Sequence, residues 1–289
     1  MKEDLRKFVQ DNPKLVSMKP AGVGLYVLKY RKTVFFDNLW NDYLEECRGT
    51  IVDENFNIVS YPFTKVYNYG IEAKAPVLTD ETMVDAYRKV NGFMVAVTWH
   101  NDDILVSTTG STENDYTNMA KELIDTDKFR SVCAKYPNYT FMFECVHSND
   151  PHIIPEAEGM YYLGHREKFW GSKVSVNLDF ADMFGCYGAA HMRVSLSELK
   201  KLVKDVRHEG YVFYTDEGVS SKIKSPWYLT SKWVARNPRT DKLINMQNDI
   251  KKNLDEEYHG LVDMIRANIE EYTKMNEQER LAWIRKYFL

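Results

Sequence analysis

The 289-residue sequence has only four cysteines, Cys47, Cys133, Cys145 and Cys186, too few and too scattered for a disulfide framework. None stands in a Cys-x-x-Cys pair, so a zinc site is not suggested either, and reduced, mostly buried thiols are the expectation. No run approaches the ~18 apolar residues of a membrane span. Met1-Lys2-Glu3-Asp4 carries no apolar signal region, which points to a soluble, cytoplasmic protein with no membrane partner and makes Asn138-Tyr139-Thr140 a chance glycosylation match. An excess of basic charge is also missing. The formal net charge is −4, so any contact with nucleic acid must come from a local patch. There is no Gly-x-x-x-x-Gly-Lys-Ser/Thr, hence no built-in P-loop kinase, and there is no internal repeat or low-complexity segment.

With 44% hydrophobic and 28% charged residues, the chain has room for one large or two modest domains. The first 46 residues read as a lead-in: a short helix near Lys2–Asp11, then strand-like pieces at Val23–Leu28 and Thr33–Phe36. Thr50–Asp53 and Ile58–Phe63 flank a hairpin turn, and Phe93–Trp99 with Ile104–Thr108 form a second hairpin across His100–Asp103. Residues 113–135 are helical in pattern, and Thr140–Val146 and Met160–Gly164 are strands. Ser195-Leu196-Ser197-Glu198 is a capping box opening a helix to about Val206, followed by a third hairpin, Tyr211–Tyr214 with Val219–Ile223. After Pro226 the strand signals stop. Leu261, Ile265, Ile269 and Tyr272, then Leu281, Ile284 and Phe288, keep helical spacing. The expectation is an α+β domain over 1–230, built of antiparallel sheets with flanking helices, and a small all-helical domain over 231–289.

Lys89-Val90-Asn91-Gly92 is the stretch around which the chemistry gathers. Alone, Asn91-Gly92 between apolar runs reads as a hairpin turn. That turn would set Lys89 at the mouth of a strand with its amine exposed. At pH 7 only about 1 in 2,500 unperturbed lysines is the neutral nucleophile. A lysine attacking a phosphate therefore needs neighbouring cations, which disfavour the ammonium and neutralise the phosphate charge.

Several residues could complete such a site. In Lys222-Ile223-Lys224 a strand puts both amines on one face, although the same pattern also suits a solvated edge strand. Arg48 in Glu46-Cys47-Arg48-Gly49 offers a bidentate fork to phosphate, and Lys65 in Thr64-Lys65-Val66-Tyr67-Asn68 a second cation; each alone is an ordinary surface residue. Glu144 shares an apolar strand face with Met142 and Val146 and so requires a partner: a ribose hydroxyl, a metal or a buried ion pair. Glu209 precedes Gly210 at a helix-to-strand turn, where it reads either as a metal-binding carboxylate or as a solvent-facing loop residue.

In order along the chain, Lys89-Val90-Asn91-Gly92, Phe143-Glu144, Glu209-Gly210-Tyr211-Val212 and Lys222-Ile223-Lys224 resemble the signature motifs of the covalent nucleotidyltransferases: RNA ligases, DNA ligases and capping enzymes. The similarity is nearer to the single-strand RNA ligases of T-even bacteriophages and to the ligase domains of fungal tRNA-splicing ligases. It extends over about residues 40–230, including Glu46 through Gly49, Lys65 through Asn68, and Ser221 through Tyr228. It implies an ATP-grasp-like nucleotidyltransferase fold and an ATP-dependent RNA ligase using Mg²⁺ or Mn²⁺, in the cytoplasm (the host's, if the chain is viral). Lys89 would carry AMP, Lys222 and Lys224 would hold the α-phosphate, and Arg48 and Lys65 would meet phosphates. Asn91 and Gly92 would belong to the nucleotide pocket, Glu144 would bind ribose, and Glu209 with Glu144 would serve the metal. The partner would be RNA with 5′-phosphate and 3′-hydroxyl ends, healed by a separate kinase or phosphatase.

Two departures stand out. Asn91 occupies the third position of a motif that is usually Lys-x-Asp-Gly, as in the fungal enzymes, and Ser107-Thr108-Thr109-Gly110-Ser111 lacks a lysine that the phage enzymes carry there. The alternatives are a capping or DNA-ligase type of nucleotidyltransferase and a non-catalytic module that binds RNA ends; a β-rich metabolic enzyme with coincidental motifs is more distant. Capping enzymes and DNA ligases carry a β-barrel after the Lys-x-Lys motif, whereas the 65 residues after Lys224 read as helices.

Overall fold

Strands that alternate buried and half-buried residues, such as Met83–Arg88 and Gly210–Thr215, pair with others buried on both faces, such as Arg48–Asp53, to build the framework seen in the computed structural model of the chain. It describes every residue except 1, 151, 153, 237–250, 252, 253, 255, 288 and 289. The strands are β1 (Val16–Pro20), β2 (Leu25–Tyr30), β3 (Arg48–Asp53), β4 (Ile58–Ser60), β5 (Met83–Arg88), β6 (Phe93–His100), β7 (Asp103–Ser107), β8 (Tyr139–Val146), β9 (Gly159–Glu167), β10 (Tyr187–Gly188), β11 (His191–Ser195), β12 (Gly210–Thr215) and β13 (Ser220–Lys224). The chain divides into two compact units, one of Met1–Lys65 and Val90–Ala189, the other of Val66–Lys89 and Ala190–Leu289.

The first unit holds an antiparallel sheet in the order β1-β2-β3-β4 and a five-stranded sheet in the order β10-β9-β8-β6-β7, in which only the short β10 runs parallel to its neighbour. β8 is buried on both faces, which explains its nearly unbroken apolar run. Its Phe141 and Phe143 pack on Phe129 and Phe184 from the helices Thr126–Lys135 and Asp179–Phe184, with ring centroids 4.6–5.2 Å apart among the Phe129–Phe143, Phe129–Phe184, Phe141–Phe184 and Phe143–Phe184 pairs. Residues 113–135 form two helices, Asp115–Leu123 and Thr126–Lys135, because Asp125 caps a new helix through the Lys128 N–H. Thr33–Phe36, read as strand-like, lies in the helix Lys32–Phe36. Burying Val34 on one side of a single turn overrides the strand preference of its β-branched and aromatic residues.

The second unit holds one antiparallel sheet in the order β11-β5-β12-β13. The helix Leu196–Asp205, opened by the expected Ser195/Glu198 capping box, lays Leu196, Leu199 and Val203 against Val84, Ala86 and Phe213. Helices follow at Pro226–Arg236, His259–Ala267, Ile269–Lys274 and Glu277–Tyr287, and among the described residues no strand follows Lys224. Leu261, Ile265, Tyr272 and Ile284 are buried as their spacing predicts, and Phe288 lies outside the described residues. The helix Pro226–Arg236 runs across position 230.

Asn91-Gly92 joins β5 to β6 without making a hairpin: these strands belong to different sheets, and neither residue has a positive φ. The turn signal is overruled by the sheets to which its flanking strands pair.

A buried ion pair fixes the first unit. Arg166 makes a bidentate contact with Glu46, at 2.8 and 3.1 Å. It also donates to the carbonyls of Ser172 at 2.7 Å and Pro62 at 3.0 Å, and lies 3.6 Å from the centre of the Tyr61 ring. Arg166→Met leaves Glu46 without this partner and is expected to lower unfolding stability by about 3–5 kcal/mol, read as a fall in the urea midpoint with m unchanged.

Candidate active site

In the second unit the β5–β12 ladder runs one residue past β5: the Lys89 N–H donates to the Gly210 carbonyl at 2.9 Å, which brings Lys89 beside Glu209. Lys89 Nζ lies 3.1 Å from Glu209 Oε2, and Lys224 Nζ lies 3.6 Å from Glu209 Oε1. Gly210, paired with Lys224, has φ +129°, and a Cβ there would fall 2.1 Å from the Ile223 carbonyl oxygen. Only glycine lets Glu209 and Lys224 approach this closely. Lys222 shares β13 with Lys224 and is half-buried; its backbone pairs with Tyr67 and Tyr69.

Glu257, from the helical tail, completes the cluster. Its Oε1 accepts from Lys224 Nζ at 2.6 Å and lies 3.7 Å from Lys232 Nζ, and its Oε2 accepts from Asn68 Nδ2 at 3.5 Å. Asn68 also donates from Nδ2 to Glu72 at 2.6 Å, while among the described residues its own buried Oδ1 has no hydrogen-bond partner. Burial opposes the charge on Lys224, but Glu257 and Glu209 outweigh it and hold the ammonium above its ordinary value. Burial likewise opposes ionisation of Glu257, and Lys224 and Lys232 prevail, bringing the carboxyl down to about 2.

The first unit gathers the other expected residues. The Gly92 N–H donates to Glu144 Oε1 at 3.1 Å, giving this buried carboxylate the partner that its apolar strand face demands. A Cβ on Gly92 would lie 2.2 Å from the Cys145 carbonyl oxygen, so the glycine is required by close approach and not by a turn. Asn91 is buried, and its Oδ1 accepts the Ile154 N–H at 3.3 Å. An acceptor oxygen is what this contact uses, and Asn supplies it as Asp would. Arg48 donates to the Thr64 carbonyl at 3.2 Å, and Lys65 is buried with its amine 4.7 Å from the Trp40 ring centre. In Glu46-Cys47-Arg48-Gly49, Glu46 holds Arg166, and Cys47 is core, its thiol pushed up to about 12 by burial and then by Glu46.

Lys89, Lys222, Lys224 and Glu209 therefore fall in one unit, and Arg48, Lys65, Asn91, Gly92 and Glu144 in the other, with the chain passing between them at Lys89–Val90. One expectation needs correction: the Lys89 side chain is only 23% exposed, and the carboxylate of Glu209 stands beside its amine and also engages Lys224. Glu209 is buried, which excludes the solvent-facing alternative. Glu257, Lys232 and Asn68 were not singled out by sequence reasoning; Glu257 had no local signal, whereas Asn68 closed a motif already quoted. Where the loop Ser107–Ser111 lacks a lysine, another arrives from β2: Lys29 Nζ lies 3.2 Å from where a Cβ on Gly110 would stand.

Among the described residues no group of three or more His, Cys, Asp or Glu side chains could hold a metal ion, and no helix is long and apolar enough to cross a membrane.

The fold is that of the ligase nucleotidyltransferases. A putative ATP-dependent DNA ligase from Aquifex aeolicus superposes with a TM-score of 0.61, 14% identity, and coverage of 99% of this chain and 78% of that one. An archaeal ATP-dependent RNA ligase gives 0.59, 14%, 98% and 74%. No curated protein matches by sequence. The family model described as RNA ligase matches residues 46–232, well over half of the chain. The chain belongs to the RNA ligase family.

Two predictions follow from this geometry. The lowered carboxyl of Glu257 contributes stability that is complete above the ordinary value of 4.5 and is lost as pH falls towards about 2. Glu257→Gln should therefore be less stable than wild type at pH 6 and show a shallower decline of urea midpoint below pH 4.5. Gly92→Ala should cost about 1–3 kcal/mol through displacement of the β8 backbone at Cys145, measured by thermal unfolding.

Proposed function

We propose that the chain joins RNA 5′-phosphate and 3′-hydroxyl ends at the expense of ATP, with Lys89 as the nucleophile. What carries this reading is the Lys89–Glu209–Lys224 arrangement, an amine held by one buried carboxylate that also engages a second lysine, within the segment shared with RNA ligases.

The Lys89 nitrogen loses a proton, to which Glu209 Oε2 is the near acceptor, and attacks the α-phosphorus of ATP. An N–P bond forms, a P–O bond breaks and pyrophosphate departs. Lys222 and Lys224 hold the α-phosphate and stabilise the charge that builds on its oxygens. An oxygen of the RNA 5′-phosphate then attacks the same phosphorus and returns the amine. The RNA 3′-hydroxyl next attacks the 5′-phosphorus, closing the phosphodiester and releasing AMP. Glu144, oriented by Gly92, binds the ribose, and Arg48 and Lys65 meet phosphates of ATP or RNA. Glu209 would hold Mg²⁺ or Mn²⁺ together with substrate phosphate oxygens, with Glu144 a second candidate ligand, since such a cation takes one or two carboxylates. When bound, the cation neutralises phosphate charge and offsets the hold of Glu209 on the Lys89 amine.

The cavity beside the cluster sets Lys200, Lys204, Lys222 and Lys224 among apolar residues such as Ile71 and Leu229, and those four amines support an RNA backbone as the second substrate. The helices described after Lys224 are where the RNA would be chosen, and a separate enzyme heals damaged ends in the cytoplasm.

The test is incubation with α-³²P-ATP and Mg²⁺ followed by a denaturing gel. Wild type is expected to carry an acid-labile label and Lys89→Ala none, while Lys224→Ala should adenylylate about 10²–10³-fold more slowly. Label from GTP alone would move the activity to capping. No label from either nucleotide, in protein not already adenylylated, would contradict the mechanism.

A further inference from the structure

Lys29 and Arg48 stand directly opposite each other across β2 and β3, at a point where the strand register shifts. Like charges in that position repel, and both side chains are half-buried. Among the described residues neither has a carboxylate at ion-pair distance. Lys19, one strand further along the sheet, adds a third cation. Burial first, and then Lys19 and Arg48, pull the Lys29 amine below its ordinary value, so the pair is held at a disadvantage in the absence of an anion.

The backbone around this pair is arranged to admit one. Gly49, at φ +100°, lets the loop after β7 come so close that a Cβ would fall 2.8 Å from Thr109 Cα. The same loop then turns Gly110 towards Lys29, where a Cβ would stand 3.2 Å from the amine. Arg48 spends one N–H on the Thr64 carbonyl, and its planar fork keeps further donors.

We propose that Lys29 and Arg48 form a binding site for a phosphate group carrying two or more charges. Lys29 lies outside the segment 46–232 shared with the family, and it supplies from β2 the cation that the loop Ser107–Ser111 does not. The site rests on the ligase reading only for the source of that phosphate, either the triphosphate of the nucleotide or the terminal phosphate of the RNA.

Titration calorimetry of the full chain with inorganic pyrophosphate, and fluorescence binding of a 5′-phosphorylated and a 5′-hydroxyl RNA oligonucleotide, test it in wild type, Lys29→Met and Lys29→Arg. Lys29→Met is expected to weaken at least one phosphate ligand about tenfold or more, with Lys29→Arg within about threefold of wild type. Loss for pyrophosphate, with a raised KM for ATP and kcat held in adenylylation, identifies the nucleotide as the source. Loss of preference for the 5′-phosphorylated RNA identifies the RNA end. Wild-type affinities in Lys29→Met overturn the site. So does wild type that neither binds pyrophosphate nor distinguishes the two RNAs, an outcome that needs no folded variant. Lys29-dependent phosphate binding in a protein that labels with neither nucleotide would uphold the site and overturn the ligase reading, so the two fail separately.

Discussion

The second unit depends on one buried carboxylate. Glu209 lies between two lysines that a water-poor interior would otherwise not tolerate, at 3.1 Å from Lys89 and 3.6 Å from Lys224. Its position follows from the β5–β12 ladder on one side and from Gly210 on the other, where any larger residue would strike the β13 backbone. Glu257 does for the far side of Lys224 what Glu209 does for the near side, so that two carboxylates alternate with the lysines along the cluster. Breaking such a network by removing one member strands a charge, and for that reason the glycine, both strands and the tail are constrained together.

This alternation bears on the chemistry. An amine paired with a carboxylate is held in place but not yet free to attack. On the mechanism proposed above, reaction would be favoured when positive charge arrives at Glu209 and negative charge at Lys222 and Lys224, as a metal-bound triphosphate would deliver. Gly92 and Glu144 show the same economy of position in the first unit. The glycine permits close approach to β8, and its N–H donates to the carboxylate that the strand buries.

Much of this was legible in the sequence where the signal is local. The capping box at Ser195, the hairpins at 50–63 (its second strand ending at Ser60), 93–108 and 211–223, and the absence of strands after Lys224 among the described residues all rest on spacing within a few residues, and the structure has them. The apolar neighbours of Glu144 announced its burial, whereas the Gly92 N–H that donates to it was not among the expected partners. What local pattern could not carry is pairing at a distance. Asn91-Gly92 looked like a hairpin turn because nothing nearby says that β5 and β6 enter different sheets. The strand-like composition of Thr33–Phe36 yielded to the burial of Val34. Glu257 reaches Lys224 from 33 residues away, and Lys29 meets Arg48 only through sheet register.

The central claim is that Lys89, among several lysines in one charged cluster, forms the covalent bond to AMP. Intact-mass spectrometry after incubation with ATP and Mg²⁺, followed by peptide mapping under conditions that preserve the phosphoramidate, tests it most directly. The account predicts a single AMP increment on the peptide containing Lys89, discharged by added pyrophosphate. An increment on Lys222, Lys224 or Lys232, or none under conditions in which the protein seals RNA, would contradict it.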